Sequence, residues 1–490
     1  MFKTLSIKLV YVVFLITVPI KVSVCQWVTG NIDTLTHDNA SDYSVSPNSM
    51  FIDAQNTLHV VWQKRELWPN GWGIYYAKKF VNGSWTNPIR ISDTLYTSVY
   101  PSVVVAGKLN KVFISYVSVY SKYAQIKLAI SSINETWSSI NITTDSLQNR
   151  NPLIEIDKNE NIHLTWLGMD SLFNYKVKYS SNKSGIWKIQ SLDDNYSGDN
   201  YYATPSLSVS PNGHANIMYL SIINGIPRNI LAENFDTKEG KWSYELLPES
   251  VNGSGILKIS KKGKLNYIFH YSKDFQFPVK TYYTFKANNL SGWSPPELIN
   301  ENFDGYCTSV EIDDNEKLHL TLDSLELAFK IGITYYANNK SGIWQFSSVS
   351  ATGNTFHSSF KLDKNGSGNI IASSEEYPIP SELLYLKSEN NLIGIHENFS
   401  FNVNDYALFQ NYPNPFNPFT NIKFTMPKSG NAELKVFDAG GREVSVLLNE
   451  NLIAGSYEYT FDAAGLPSGI YFYTLRTGGF VASGKMLLIK

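Results

Sequence analysis

The sequence predicts an all-β protein, a seven-bladed β-propeller with four-stranded antiparallel blades, followed by a small C-terminal β-sandwich. Three observations predict it. Tryptophan recurs at Trp27, Trp85, Trp137, Trp187, Trp242, Trp293 and Trp344, at intervals of 50 to 58 residues. A strand–turn–strand motif recurs out of phase with it, as in MFIDAQNTLHVVW and SVEIDDNEKLHLTL. Aromatic residues make up 14% of the chain and charged residues only 17%, a balance that suits pleated, half-buried surfaces.

Each repeat reads as two hairpins. The first, strands a and b, alternates apolar and polar residues around a short Asp/Asn/Gly/Lys turn, as in LIEIDKNENIHLTW and FKLDKNGSGNIIAS. Asp53, Asp157, Asp313 and Asp363 stand where such turns begin and read as turn formers. The second hairpin, strands c and d, ends on the tryptophan. The hexapeptide NKSGIW writes its turn identically at Asn182–Trp187 and Asn339–Trp344. Seven units of about 50 residues fill Gln26 to Ser388, and radial repetition of such units leaves only short edges. The last unit lacks a Trp-led d strand, while Trp27–Thr34 is a d strand with no unit before it. An N-terminal strand completing the last blade is therefore expected, pairing the two ends of the repeat.

The ends carry other signals. Lys3 and Lys8, the apolar run Leu9–Ile20 and Ser23-Val24-Cys25 form an export signal over residues 1–25. The propeller is expected over 26–390, a linker over 391–404 and the C-terminal domain over 405–490. The chain has two cysteines, Cys25 and Cys307; with Cys25 in the signal, Cys307 reads as a small core residue. The formal net charge is −2, and no basic field points to nucleic acid.

Two family resemblances follow from quoted residues. Ser184-Gly185-Ile186-Trp187 and Ser341-Gly342-Ile343-Trp344 resemble a degenerate Asp-box, the BNR-type turn of sialidase-like propellers, with one residue fewer between Gly and Trp. The resemblance implies the architecture and not the activity. The propeller region has only Arg65, Arg90, Arg150 and Arg228, and no Phe-Arg-Ile-Pro segment. The block Gln410–Pro418, QNYPNPFNP, with LKVFDAGGREV and the ending GKMLLIK, is similar to the type IX secretion system C-terminal sorting domain. That resemblance implies recognition by the outer-membrane translocon and sorting machinery, and a destination outside a Gram-negative cell.

In a four-stranded meander the a–b and c–d turns share one face, and the b–c and d–a connections share the other. The second set varies in length and is rich in aromatics, and variable loops on a rigid scaffold carry function. Its candidate ligand-binding residues are Arg65, Glu66, Trp68, Trp72, Tyr120, Tyr201, Tyr202, Arg228, Asp274 and Tyr306. Aromatic faces stack on sugar rings, while Asp and Arg bond hydroxyls or carboxylates. Binding of a glycan or a surface protein is the leading expectation. A glycoside hydrolase or lyase is the alternative, with Asp170, Asp199, Asp274, Asp304 and Glu375 as the acids from which a pair would come. His59, His163 and His319 occupy one repeated position, filled by Asn216, Asn266, Asn369 or Phe113 in other units. That symmetry predicts a repeated structural hydrogen bond, and neither metal nor cofactor is expected.

Overall fold

The computed structural model describes residues 33–34, 42–43, 48–392 with breaks in several loops, and 406–489 with short breaks. The chain divides into two compact units, Met1–Ile393 and Gly394–Lys490. The export signal and Trp27 lie outside the described residues.

The described residues of the first unit form seven antiparallel sheets, and in the second through seventh the strand order is a-b-c-d. Sheet 2 shows the plan, with strands Thr97–Ala106, Lys111–Val119, Ala124–Ser131 and Trp137–Asn141. In sheet 1 the inner strand is split into Asp42–Tyr43 and Met50–Ile52, both paired with Leu58–Arg65. Sheet 7 takes its outer strand from the other end of the repeat. Asp33 pairs with Tyr385 and Thr34 with Leu384, as the orphan N-terminal d segment predicts.

The a–b turns are built by side chains. Asp53 Oδ1 accepts the backbone N–H groups of Gln55 and Thr57, both at 2.8 Å. Asp157, Asp313 and Asp363 do the same in sheets 3, 6 and 7, an Asx turn in each case. In NKSGIW the leading Asn182 accepts the N–H of Ile162 at 2.7 Å, and Asn339 that of Leu318 at 2.8 Å. Gly185 and Gly342 follow at φ +82° and +81°, with open space around them. Backbone conformation, not crowding, therefore requires glycine there.

The repeated histidine position is structural, as its symmetry predicts. Nδ1 of His59, His163 and His319 meets the hydroxyl of Tyr76, Tyr179 and Tyr336 at 2.7, 2.7 and 2.6 Å. Where the position is asparagine, Asn266 and Asn369 accept from Tyr283 and Tyr385 at 2.8 and 2.7 Å. The tyrosine so fixed receives a tryptophan from the next sheet, edge to face. Trp85 stands against Tyr385 at 5.3 Å, Trp137 against Tyr76 at 5.2 Å, Trp242 against Tyr179 at 5.0 Å and Trp344 against Tyr283 at 5.9 Å. The first of these contacts joins sheet 1 to sheet 7, whose apolar side chains share one cluster.

The inner strands carry charge at one register position. Glu155, Lys258, Glu311 and Lys361 each lie opposite the His/Asn position of their own sheet. Lys258 Nζ reaches Glu155 at 3.7 Å and Glu311 at 3.9 Å, and Lys361 Nζ reaches Glu311 at 2.5 Å. Burial raises the pKa of Glu311, but Lys361 and Lys258 outweigh it and hold the carboxylate below its usual range. Four sheets are thus tied across the axis by one mostly buried ionic network.

The second unit has a three-stranded and a four-stranded sheet on a common core that includes Phe424, Phe461, Leu434 and Tyr473. The lead-in block clips onto the last strand, Phe480–Leu488. Asn414 Nδ2 donates to the Lys485 carbonyl at 3.1 Å, and its Oδ1 accepts the Leu487 N–H at 2.8 Å. Phe416 is buried and bonds Leu487 and Ile489 through its backbone.

Glu311→Ala should leave two lysines short of their shared counter-charge. It is expected to cost about 2 kcal/mol, less than for a fully buried pair because the network keeps some solvent contact. Urea unfolding checks this, and a loss under roughly 0.5 kcal/mol would place the network among weak surface pairs.

Candidate functional site

The loop-rich face gathers its best-defined polar and aromatic groups on sheets 1 and 2. Arg65 and Trp72 are the last cross-strand pair of the first b–c hairpin. Next to them Glu66 turns back over the sheet. Its Oε1 accepts the Tyr75 hydroxyl at 2.7 Å and its Oε2 accepts Arg90 Nη1 at 2.5 Å. Arg90 also donates to the carbonyls of Ser92 and Asp93 at 3.1 and 2.9 Å. A Cβ on Gly73 would lie 2.9 Å from Glu66 Oε1 and 3.3 Å from the Arg90 guanidinium carbon, so glycine makes room for the pair. The loop rests on sheet 2, where a Cβ on Gly71 would run into Thr97.

Sheet 2 adds a cluster of three phenols, two of them stacked and the third tilted against them. Tyr96 and Tyr120 are 4.3 Å apart between ring centroids, and Tyr120 and Tyr123 are 4.8 Å apart and nearly parallel at 17°. A hydrogen bond from Tyr120 N to the Tyr123 carbonyl at 2.8 Å fixes the loop that carries them.

The inner strands contribute through bulges. The a-strand register shifts between Val99 and Ser102, Arg150 and Leu153, and Phe356 and Ser359. Each bulge holds a non-glycine residue in the left-handed region, Tyr100 at φ 57°, Asn151 at 52° and His357 at 53°. Such backbone is costly and bulges re-aim side chains. All three sit where strand a begins, hence on the loop-rich face at the inner rim. They are individually anchored. Tyr100 N donates to Gln63 Oε1 at 3.1 Å, and Asn151 Nδ2 to Thr204 Oγ1 at 3.1 Å. Beside His357, Ser358 donates from its hydroxyl and backbone to buried Asp323 at 2.7 and 3.1 Å. Burial raises the pKa of Asp323 despite these bonds.

The other expected residues lie elsewhere. Arg228, on sheet 4, ion-pairs with Glu249 at 3.2 Å and donates to the Leu247 carbonyl at 2.9 Å. Tyr306, on sheet 6, stands edge-on to His270 of sheet 5 at 4.9 Å. Burial lowers the His270 pKa to about 4 and raises that of Tyr306. His270 Nδ1 has no hydrogen-bond partner among the described residues. Trp68, Tyr201, Tyr202 and Asp274 lie outside the described residues, as do Asp199 and Asp304. Asp170, on the b–c turn of sheet 3, forms an Asx turn with the N–H groups of Leu172 and Asn174.

Of the expected set, then, Arg65, Glu66, Trp72 and Tyr120 come together on neighbouring sheets, and Arg228 and Tyr306 stand apart. Arg90 is not among the residues the sequence offers for binding, yet it is the counter-charge of Glu66. Tyr100, Asn151 and His357 are not among them either. A signal existed for the first two, since Tyr-Pro, Asn-Pro and Thr-Pro recur at Tyr100, Asn151 and Thr204 where a strands begin. Among the described residues no cluster of three or more His, Cys, Asp or Glu side chains suits a metal ion.

Comparison with known proteins divides along the same line as the two units. Residues 410–490 match the family described as the secretion system C-terminal sorting domain. The protein is therefore a type IX secretion substrate, sent to the cell surface or the surrounding medium. No curated protein matches the chain in sequence. Among solved structures it is similar to an ulvan lyase, a polysaccharide lyase bound to a saccharide of glucuronic acid and 3-sulfated rhamnose. The TM-score is 0.51 at 12% identity, over 72% of this chain and 95% of that one. The polysaccharide lyase Uly1 is similar at TM-score 0.47 and 10% identity, covering 75% and 94% of the two chains. A protein of unknown function from Dyadobacter fermentans follows at 0.43 and 11%, covering 60% and 94%. At 12% identity the likeness to the ulvan lyase speaks for the fold alone, an all-β propeller of four-stranded sheets.

Two outcomes are expected. His270 is neutral in the folded chain down to about pH 4, against 6.5 for a free imidazole. Between those values the unfolded chain takes up a proton that the folded chain refuses, so stability falls as pH drops through that window and is flat above it. His319, its pKa also lowered by burial, adds to the same slope, so His270→Phe should reduce it, seen as melting temperatures that change by about 3–6 °C less between pH 7 and pH 4.5. Separately, deletion of Gln410–Lys490 should retain the protein in the periplasm, as cell fractionation would show; normal surface display would contradict the sorting assignment.

Proposed function

We propose that this protein is an exported glycan-binding propeller, whose seven sheets are seven blades closed by the Asp33–Thr34 strand. The second unit, read as a β-sandwich, delivers it to the outside of a Gram-negative cell. The observation that carries the reading is the Tyr96–Tyr120–Tyr123 cluster on the sheet next to the one that holds the Glu66–Arg90 pair. Flat phenol faces receive the C–H face of a pyranose, while a half-buried carboxylate–guanidinium pair presents fixed partners for hydroxyl or acidic groups. The bulge residues Tyr100, Asn151 and His357 extend the same face toward the axis. A glycan panel tests this. Tyr120→Ala should weaken binding at least tenfold and Tyr120→Trp should keep it, because stacking needs a ring and not a hydroxyl. Equal binding by wild type and Tyr120→Ala would refute the assignment.

One observation favours a second reading. The imidazole of His270 and the phenol of Tyr306 stand edge to face on this face, a base and an acid that suit elimination from a uronic-acid polysaccharide better than hydrolysis between two carboxylates. Appearance of unsaturated chain ends during incubation with uronate polysaccharides, lost in Tyr306→Phe, would establish that reading over simple binding.

A further inference from the structure

The groove between sheets 4 and 5 departs from the repeat. In sheets 1, 3, 5, 6 and 7 the His or Asn of strand b bonds a tyrosine on strand c. The register places that tyrosine two residues before the partner of the His/Asn position: Tyr76 before Lys78, Tyr283 before Phe285. In sheet 4 Asn216 pairs with Glu233, so the equivalent residue is Leu231. In sheet 2 the equivalent is Leu128, but Phe113 occupies the His/Asn position and fills the space with its own buried ring. Only sheet 4 has neither ring.

A cavity of about 420 Å³ lies there, opening beside the a–b turns of both sheets, a volume in the range of small-molecule sites. Its apolar lining comes from Leu231, Ile259 and Leu265, and Trp293 packs against the same cluster. Its rim carries Glu233, Glu245 and Lys262. Asn216 lines it while only 2% exposed, and its side-chain nitrogen donates to the His214 carbonyl at 3.1 Å. Its Oδ1 takes no donor among the described residues, whereas Asn266 and Asn369 each take a tyrosine hydroxyl there. The amide oxygen of a buried side chain is therefore left without a protein donor at the cavity, at the position that bonds a phenol elsewhere in the molecule.

We infer that this cavity is a binding site for a 4-hydroxyphenyl group, either a small phenol or a tyrosine of a peptide. The ligand ring replaces the absent side chain, lies over Leu231 within reach of the Trp293 edge, and donates its hydroxyl to Asn216 Oδ1. The charged rim receives the polar remainder of the ligand. The site is on the turn face, opposite the proposed glycan surface, and does not depend on that proposal.

The full chain is titrated with N-acetyl-L-tyrosinamide and N-acetyl-L-phenylalaninamide by ligand-observed NMR. Saturable binding of the tyrosine compound, at least tenfold tighter than the phenylalanine compound, is expected, because a buried acceptor discriminates against a ligand without the hydroxyl. Leu231→Tyr should fill the site from within, abolish binding and raise the melting temperature. Free 4-cresol binding as tightly as the amide assigns a small phenol; much weaker binding assigns a tyrosine peptide. Equal affinity for the two amides, displacement by methyl hexosides, unchanged binding in Leu231→Tyr, or no saturable binding of the phenols would each overturn the inference. The wild-type comparison stands even where the variant does not fold.

Discussion

A tryptophan standing edge-on against the tyrosine of the preceding sheet is the contact on which the first unit depends. Each sheet is too small to bury its own faces and must use its neighbours. The tyrosine can serve as a fixed wall only because its hydroxyl is held by the His or Asn of the adjacent strand. That polar bond is buried and satisfies both atoms it joins, so it sets the ring's position. Sequence, local hydrogen bond and packing between sheets are one device repeated around the axis. It also explains why the tryptophan spacing counts sheets so directly.

Much of the fold was legible for that reason. The Asp-led turns, the NKSGIW hairpins and the orphan N-terminal strand all follow from chemistry local to a few residues. The histidines show the value of symmetry: a position that alternates between His and Asn needs a hydrogen-bonding group, not a metal ligand. Less was legible at the candidate site. Arg90 looks like any outer-strand residue until the chain folds back and sets it against Glu66, 24 positions away. His357 stands in a bulge with no proline after it, and nothing in its neighbourhood announces a left-handed backbone. The Leu231 exception is visible in an aligned repeat, but its consequence, an open groove beside an amide oxygen with no donor among the described residues, requires strands from two sheets.

The two faces differ in how they are made. The turn face is uniform because its residues build the turns themselves, leaving little freedom for other work, and where the pattern breaks a cavity appears. The loop-rich face varies because its connections are not needed for pairing. Charge follows the same division. Near the axis Glu155, Lys258, Glu311 and Lys361 neutralise one another, while on the loop-rich face the Glu66–Arg90 pair lies beside aromatic rings. The export domain is consistent with this organisation, since a surface protein meets ligands outside the cell and needs one face free for them.

The central claim is that the loop-rich face of sheets 1 and 2 is where this protein meets a glycan. Hydrogen exchange of the full chain, with and without a polysaccharide retained by it, tests this most directly. The account predicts slowed exchange in residues 63–75 and 96–123, with the outer strands unchanged. Protection confined to the outer strands or the second unit, or none at all, would contradict it.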